Sequence, residues 1–371
     1  MYDHVNNRCK GGIIMRKTYI DNIRWITVFL VFVFHVIYIF NGIITDGVIG
    51  PFYDVQYQDA FQYVVYPWFM VLLFVISGMS ARFYLNSHSE REFIRTRTVK
   101  LLVPSTLGLL VFWWILGYYN MLISGAFEKM GNVPKPVLFL IMAVSGTGVL
   151  WFTQVLWVLS VLLVLIRRIE KDRLYVLGKK ANILFLIALM PVIWGCANIL
   201  NTPVIVVYRF GIYGASFLIG YFIFSHDEVM DRLMKYAIPL TIVAVLSMCA
   251  FVRFFWKKPF AEHEVLDTFF CNFYAWAAVL AILSFMRRWG NFSTPFSRWM
   301  ARKSWGLYLF HYLTLAIPAW YLTQYCPQLP PPAVYLICAA MSFTGAIALY
   351  EIISRIPVLR WFACGISKKH N

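Results

Sequence analysis

The sequence predicts an all-α, polytopic integral membrane protein with about ten transmembrane helices and both termini in the cytoplasm, and three observations predict it. Of 371 residues, 61% are hydrophobic and 18% aromatic while only 13% are charged, which is more apolar surface than a soluble domain of this length can hide. Apolar runs of about twenty residues, enough to cross a bilayer, recur along the whole chain. The basic residues cluster between those runs, and 27 of the 33 fall on one side when the runs are threaded alternately through a membrane.

The runs lie at 21–44, 61–85, 101–123, 147–166, 182–200, 204–224, 236–255, 268–286, 304–325 and 332–354. The first has no small-residue cleavage site and is long enough to span, so it stays as a helix rather than a signal peptide. Arg209 and three glycines interrupt the sixth. Six basic residues (Lys129, Lys135, Arg209, Arg253, Lys257 and Lys258) fall to the outside, where Asp46, Asp54, Asp59, Glu262, Glu264 and Asp267 also collect. Residues 1–15 are polar and aperiodic, and read as a disordered tail or as the product of an upstream start site. The membrane domain is assigned to 16–365 and a short cytoplasmic tail to 366–371. The outer connection 124–146 carries Gly125, Gly131, Pro134 and Pro136, and its apolar end reads as a short interfacial helix beside an acceptor entrance.

A net charge of +16 would suit nucleic acid only as a basic patch on a soluble module, and topology accounts for these clusters instead. No nucleic-acid partner is expected. The cysteines, at 9, 196, 249, 271, 326, 338 and 364, have neither CxxC nor metal-ligand spacing and read as buried thiols without metal. There is no Walker loop, HExxH, GxSxG or dinucleotide fingerprint, so a permanently bound cofactor is not expected.

Chemistry-bearing residues concentrate on the first run. Arg24 and His35 are eleven positions apart, about 20° apart around a helix and about 16 Å along it, and Asp21 lies one turn before Arg24. That places His35 near the bilayer midplane, where an ionisable group is costly unless it is functional, lines a cavity or glues helices together. Imidazole suits a general base acting on a hydroxyl near neutral pH. His311, with Ser304 and Tyr308 on the same face of the ninth run, lies about 10 Å in, somewhat shallower than His35, and two histidines approaching one cavity could share a proton task. The basic run Glu90–Pro104 reports topology and headgroup contact, yet Arg95, Arg97 and Lys100, with Arg24, also suit the phosphates of an anionic cytosolic donor. Ser77 beside Gly78, and Trp151 in the fourth run, offer polar and aromatic groups for the same donor, although helix packing is the plainer reading of both. Glu351 is expected to pair with Arg355 at i+4.

Together these pieces resemble the membrane-bound acyltransferase-3 family. Arg24 followed by ten residues and His35 resembles that family's Arg-x10-His signature, and Phe74-Val-Ile-Ser77-Gly78, the basic run to Pro104, Leu150-Trp151-Phe152 and Gly306-Leu-Tyr308-Leu-Phe-His311 follow in order. The end of the chain, Leu349-Tyr-Glu351-Ile-Ile-Ser-Arg355-Ile-Pro357, is similar to the glucan biosynthesis protein C branch, whose members attach succinyl groups to periplasmic glucans. The resemblance implies ten helices, acyl-coenzyme A as donor substrate, and an acceptor hydroxyl on an extracytoplasmic carbohydrate. It carries over Arg24 and His35 as the essential pair. Val149 stands where the family commonly has His, so any role of that residue is missing.

The expected function is therefore a bacterial plasma-membrane O-acyltransferase. It would move an acetyl, succinyl or similar group, not an aminoacyl group, from coenzyme A to a glycan hydroxyl, with membrane lipids as its surroundings. The alternative is a transporter or flippase for an acidic or glycosylated solute, with Arg24, Arg209 and His35 lining its path.

Overall fold

The computed structural model describes residues 17–44, 47–202 and 205–367. The tail expected at 1–15 and the last four residues of the one at 366–371 lie outside the described residues. Apart from one isolated bridge between Asn201 and Arg209, the described residues form helices and connections. Seven helices are long and apolar enough to cross a membrane: Thr18–Tyr38 (α1), Tyr57–Leu85 (α2), Glu90–Ile123 (α3), Gly148–Glu170 (α5), Ala237–Phe255 (α8), Phe269–Trp289 (α9) and Pro331–Ile353 (α11). Three shorter apolar helices are Lys135–Ser145 (α4), Ile183–Ala197 (α6) and Phe210–Phe224 (α7). Pro295–Tyr325 (α10) has 31 residues and takes in the expected ninth run, but aromatic and polar side chains dilute its hydropathy.

The helix ends differ from the apolar runs for local reasons. α1 stops at Tyr38 rather than continuing to 44, because Asn41 closes a turn: its Oδ1 accepts from the amides of Ile43 and Ile44 at 2.9 and 2.6 Å, and its Nδ2 donates to Tyr38 O. α3 starts eleven residues before the apolar run at a capping box, with Ser89 N donating to Glu92 Oε2 at 3.0 Å and Glu92 N to Ser89 Oγ at 3.3 Å. The sixth run becomes helical only at Phe210, because Arg209 turns its buried guanidinium inward to the carbonyls of Ala197 and Leu266 and to Asp267.

The chain divides into two compact units. One comprises Met1–Thr27, Tyr63–Arg95 and Val158–Arg302. Its α2 and α7 cross with their backbones in contact: a Cβ on Gly78 would lie 1.9 Å from Phe217 O, and one on Gly220 would lie 2.0 Å from Val75 O. Phe74 and Tyr213 stack at 4.6 Å one turn away. Small residues permit such an approach, and dispersion between the helices rewards it.

The other unit comprises Val28–Gln62, Thr96–Trp157 and Lys303–Asn371. Here α3 and α4 touch through Gly117, whose Cβ would lie 1.7 Å from Met142 O, and through Gly146, whose Cβ would lie 2.1 Å from Trp113 O. Within α3 two π turns, Thr98–Leu102 and Leu109–Trp113, flank Pro104, which has no amide hydrogen to give. α10 and α11 are joined where Ser342 Oγ donates to His311 O at 2.7 Å and Thr314 Oγ1 donates to Ser342 O at 3.0 Å. At the other end of that pair Glu351 accepts from Lys303 and lies 3.7 Å from Arg355, the expected i+4 partner. The chain closes with an amphipathic helix, Pro357–Cys364.

Candidate active site

In the unit that holds both of them, His35 of α1 and His311 of α10 meet. His311 Nε2 lies 3.2 Å from His35 Nδ1, with ring centroids 5.0 Å apart. The partners of each ring fix which nitrogens carry hydrogen. His311 Nδ1 is 2.9 Å from the carbonyl oxygens of both Leu307 and Tyr308, and a carbonyl can only accept, so Nδ1–H donates. In the neutral ring Nε2 then holds a lone pair. His35 Nδ1 faces that lone pair and, at 2.8 Å, Val31 O. Two acceptors around one nitrogen make it a donor, so His35 carries its hydrogen on Nδ1 and its lone pair on Nε2.

The surroundings hold this pair. His311 is 1% exposed, whereas His35 is half-buried. Tyr312 and Phe34 stand edge-on to the His35 ring at 5.1 and 5.2 Å. Tyr308, whose carbonyl receives His311 Nδ1–H, donates its own hydroxyl hydrogen to Val149 O. The backbone at 149 thus takes part although the side chain there is apolar. Ser342 holds the His311 carbonyl from α11.

Arg24 and Asp21 make a separate group in the other unit. Arg24 Nη1 lies 3.0 Å from Asp21 Oδ1, and Nη2 donates to Ser80 Oγ at 2.7 Å. Ser80 passes its own hydrogen to Ile76 O at 2.8 Å. Eleven residues of helix rise, about 16 Å, keep Arg24 from touching His35 directly. Ser77 is half-buried one turn before Ser80, beside the α2–α7 crossing at Gly78.

The donor candidates are dispersed along α3 and α5. Arg95 is exposed, and two residues of helix turn Arg97 about 200° away from it. Lys100 lies in the first π turn with its ammonium 4.9 Å from the centre of the Trp305 ring. Trp305 stacks at 5.6 Å on Tyr308. Trp151 is edge-on to Phe152 at 6.4 Å, and Phe152 is edge-on to Tyr308 at 5.8 Å. Sequence reasoning missed Ser80, Tyr312, Trp305 and Ser342. Only Ser80 had a local signal, being three residues beyond Ser77 on one helix face. The others depend on which helices face each other.

Arg209, one of the three residues expected to line a transport path, is 5% exposed and bound to Asp267 Oδ1 at 3.2 Å, with His263 Nδ1 3.0 Å from the second oxygen. Its partners hold the start of α7 in place. Among the described residues no cluster of His, Cys, Asp and Glu is arranged to hold a metal.

A lone pair on a half-buried imidazole, backed by a second imidazole that accepts its other hydrogen, can take a proton from a hydroxyl and return it to a leaving group. Comparison with known proteins gives the reaction class. The family model described as an acyltransferase domain, acyltransferase-3, matches residues 17–351. No curated protein and no solved structure matches the chain. The match takes in α1 through most of α11 and both histidines, so the chain belongs to the acyltransferase-3 family and is a multi-pass membrane enzyme that transfers acyl groups other than aminoacyl groups.

Proposed function

We propose that the protein O-acylates a carbohydrate hydroxyl with a short acyl group taken from coenzyme A, and that His35 is its general base. The observation that carries this is the ordered chain from the Leu307 and Tyr308 carbonyls through His311 to His35 Nδ1, which leaves the lone pair on His35 Nε2. His35 Nε2 takes the acceptor's hydroxyl proton as that oxygen attacks the thioester carbonyl. The C–O bond forms, the C–S bond breaks, and the proton passes from Nε2 to the departing thiolate to give free coenzyme A. The transient imidazolium keeps His311 Nε2 and Val31 O as acceptors for its other hydrogen.

Donor placement has its own support. Trp305 is six residues, about 9 Å of helix rise, from His311, and Lys100 sits over its ring. A phosphate near Lys100 and Arg97 with a thioester at His35 requires a spacer of that order, which the pantetheine arm of coenzyme A provides. Trp151, in the same unit as Lys100 and His35, is assigned to the donor's margins. The acceptor is read as an extracytoplasmic glycan and the acyl group as acetyl or succinyl, the latter following the resemblance to the glucan biosynthesis protein C branch. The membrane is read as the bacterial plasma membrane, with both termini cytoplasmic.

The test uses purified protein in nanodiscs with acetyl- or succinyl-coenzyme A and a β-glucan acceptor, following free thiol. The expected result is acceptor-dependent thiol release that His35→Ala lowers by about 10²–10⁴-fold, the usual contribution of a general base. Thiol release that is unchanged in His35→Ala would remove His35 from the chemistry.

A further inference from the structure

The amphipathic helix Pro357–Cys364 lies against the part of α3 that carries Lys100, and the contacts are backbone to backbone. A Cβ on Gly365 would lie 2.6 Å from both Lys100 Cα and Val99 O, and one on Gly108 would lie 2.3 Å from Phe362 O. Gly365 ends the helix in the left-handed region at φ +67°, with its amide donating to Trp361 O at 3.1 Å and that of Ile366 to Arg360 O at 3.0 Å. Trp305 Nε1–H donates to Cys364 O at 3.2 Å, while the Trp305 ring lies under the Lys100 ammonium. One glycine-capped helix end therefore fixes both partners of this cation–π pair, the π turn from one side and the indole from the other. The turn needs such a fixture. A π turn is sparsely populated by itself and persists where packing holds it.

We propose that the C-terminal helix is a positioning element of the donor site: it holds the π turn of α3 so that Lys100 stands over Trp305, ready to receive an anionic phosphate of the acyl carrier. This rests on the reading of Lys100 as a donor contact. Gly365, Gly108 and the Trp305 N–H are then positioning groups, acting through Lys100.

The experiment is binding of unacylated coenzyme A to the full-length protein in nanodiscs, which needs neither acceptor nor acyl chemistry. Lys100→Ala is expected to weaken binding about tenfold. Gly365→Ala, which adds both a Cβ clash and a strained φ, is expected to weaken it by a similar factor. The double variant is expected to be no weaker than either single one, because two substitutions acting through one contact do not add. Trp305→Phe keeps a ring under Lys100, though a weaker cation–π face, and removes the bond to Cys364, and is expected to cost about threefold, so the proposal stays testable if Gly365→Ala does not fold. Wild-type affinity in both Gly365→Ala and Trp305→Phe, with Lys100→Ala weakened, would overturn the positioning role and leave the donor reading standing. Additive losses in the double variant would overturn it too. Failure of the wild-type protein to bind coenzyme A would instead overturn the donor reading on which it rests.

Discussion

His35 can act as a base only if its lone pair is on Nε2, and Val31 O and His311 Nε2 together hold it there. Without the His311 imidazole, His35 Nδ1 keeps Val31 O as its single acceptor and the ring loses the partner that orients it from α10. His311→Ala is therefore expected to lower kcat by about 10–10²-fold, less than His35→Ala, with coenzyme A binding retained. Stopped-flow detection of free thiol together with the binding measurement checks both halves. Equal losses of kcat and of coenzyme A affinity would mean that His311 supports the fold rather than the base. The sequence made Arg24 and His35 legible as one stripe because helical periodicity is local. The partnership of His35 with His311 spans 276 positions, and no periodicity reports which two helices meet. What spacing did give was a depth for each histidine along its own run, His311 somewhat shallower than His35, which narrows the candidates without joining them.

At the scale of helices, glycine does two different jobs. Gly78 lets α2 meet the α7 backbone, and its would-be Cβ, 1.9 Å from Phe217 O, can be relieved only by moving a helix. Gly195, within α6, has nothing within 4 Å of its would-be Cβ. Gly78→Ala is expected to destabilise by about 1–3 kcal/mol or more, as overpacking against fixed backbone does. Gly195→Ala is expected to leave stability unchanged or raise it by up to about 1 kcal/mol through helix propensity. Thermal unfolding of the two variants side by side in one detergent checks the sign of each, and a Gly78→Ala protein as stable as wild type would contradict the crossing. Capping chemistry was readable ahead of time in Ser89-Glu-Arg-Glu92, although the apolar run drew attention eleven residues too late. The π turns of α3 were not readable: they flank Pro104 and lie against Phe362 and Gly365 from the far end of the chain, contacts that no local periodicity reports.

For the whole molecule, composition dictated the class: an all-helical chain with repeated apolar spans follows from having so few charges to place against water. The number of spans was less legible. Runs 182–200 and 204–224 appear as helices of fifteen residues each, because Arg209 turns back to cap its neighbours instead of extending a helix. The distribution of Lys and Arg still argues for both termini in the cytoplasm, on the side from which an acyl-coenzyme A would come. The central claim, that His35 drives transfer of an acyl group to an extracytoplasmic glycan, is tested most directly by mass spectrometry of surface glycans from the native host lacking this gene, complemented with wild type or His35→Ala. The account predicts base-labile acyl masses only with the wild type, the added mass naming the group. Acylated glycans in the His35→Ala strain, or identical glycans in all three strains, would contradict it.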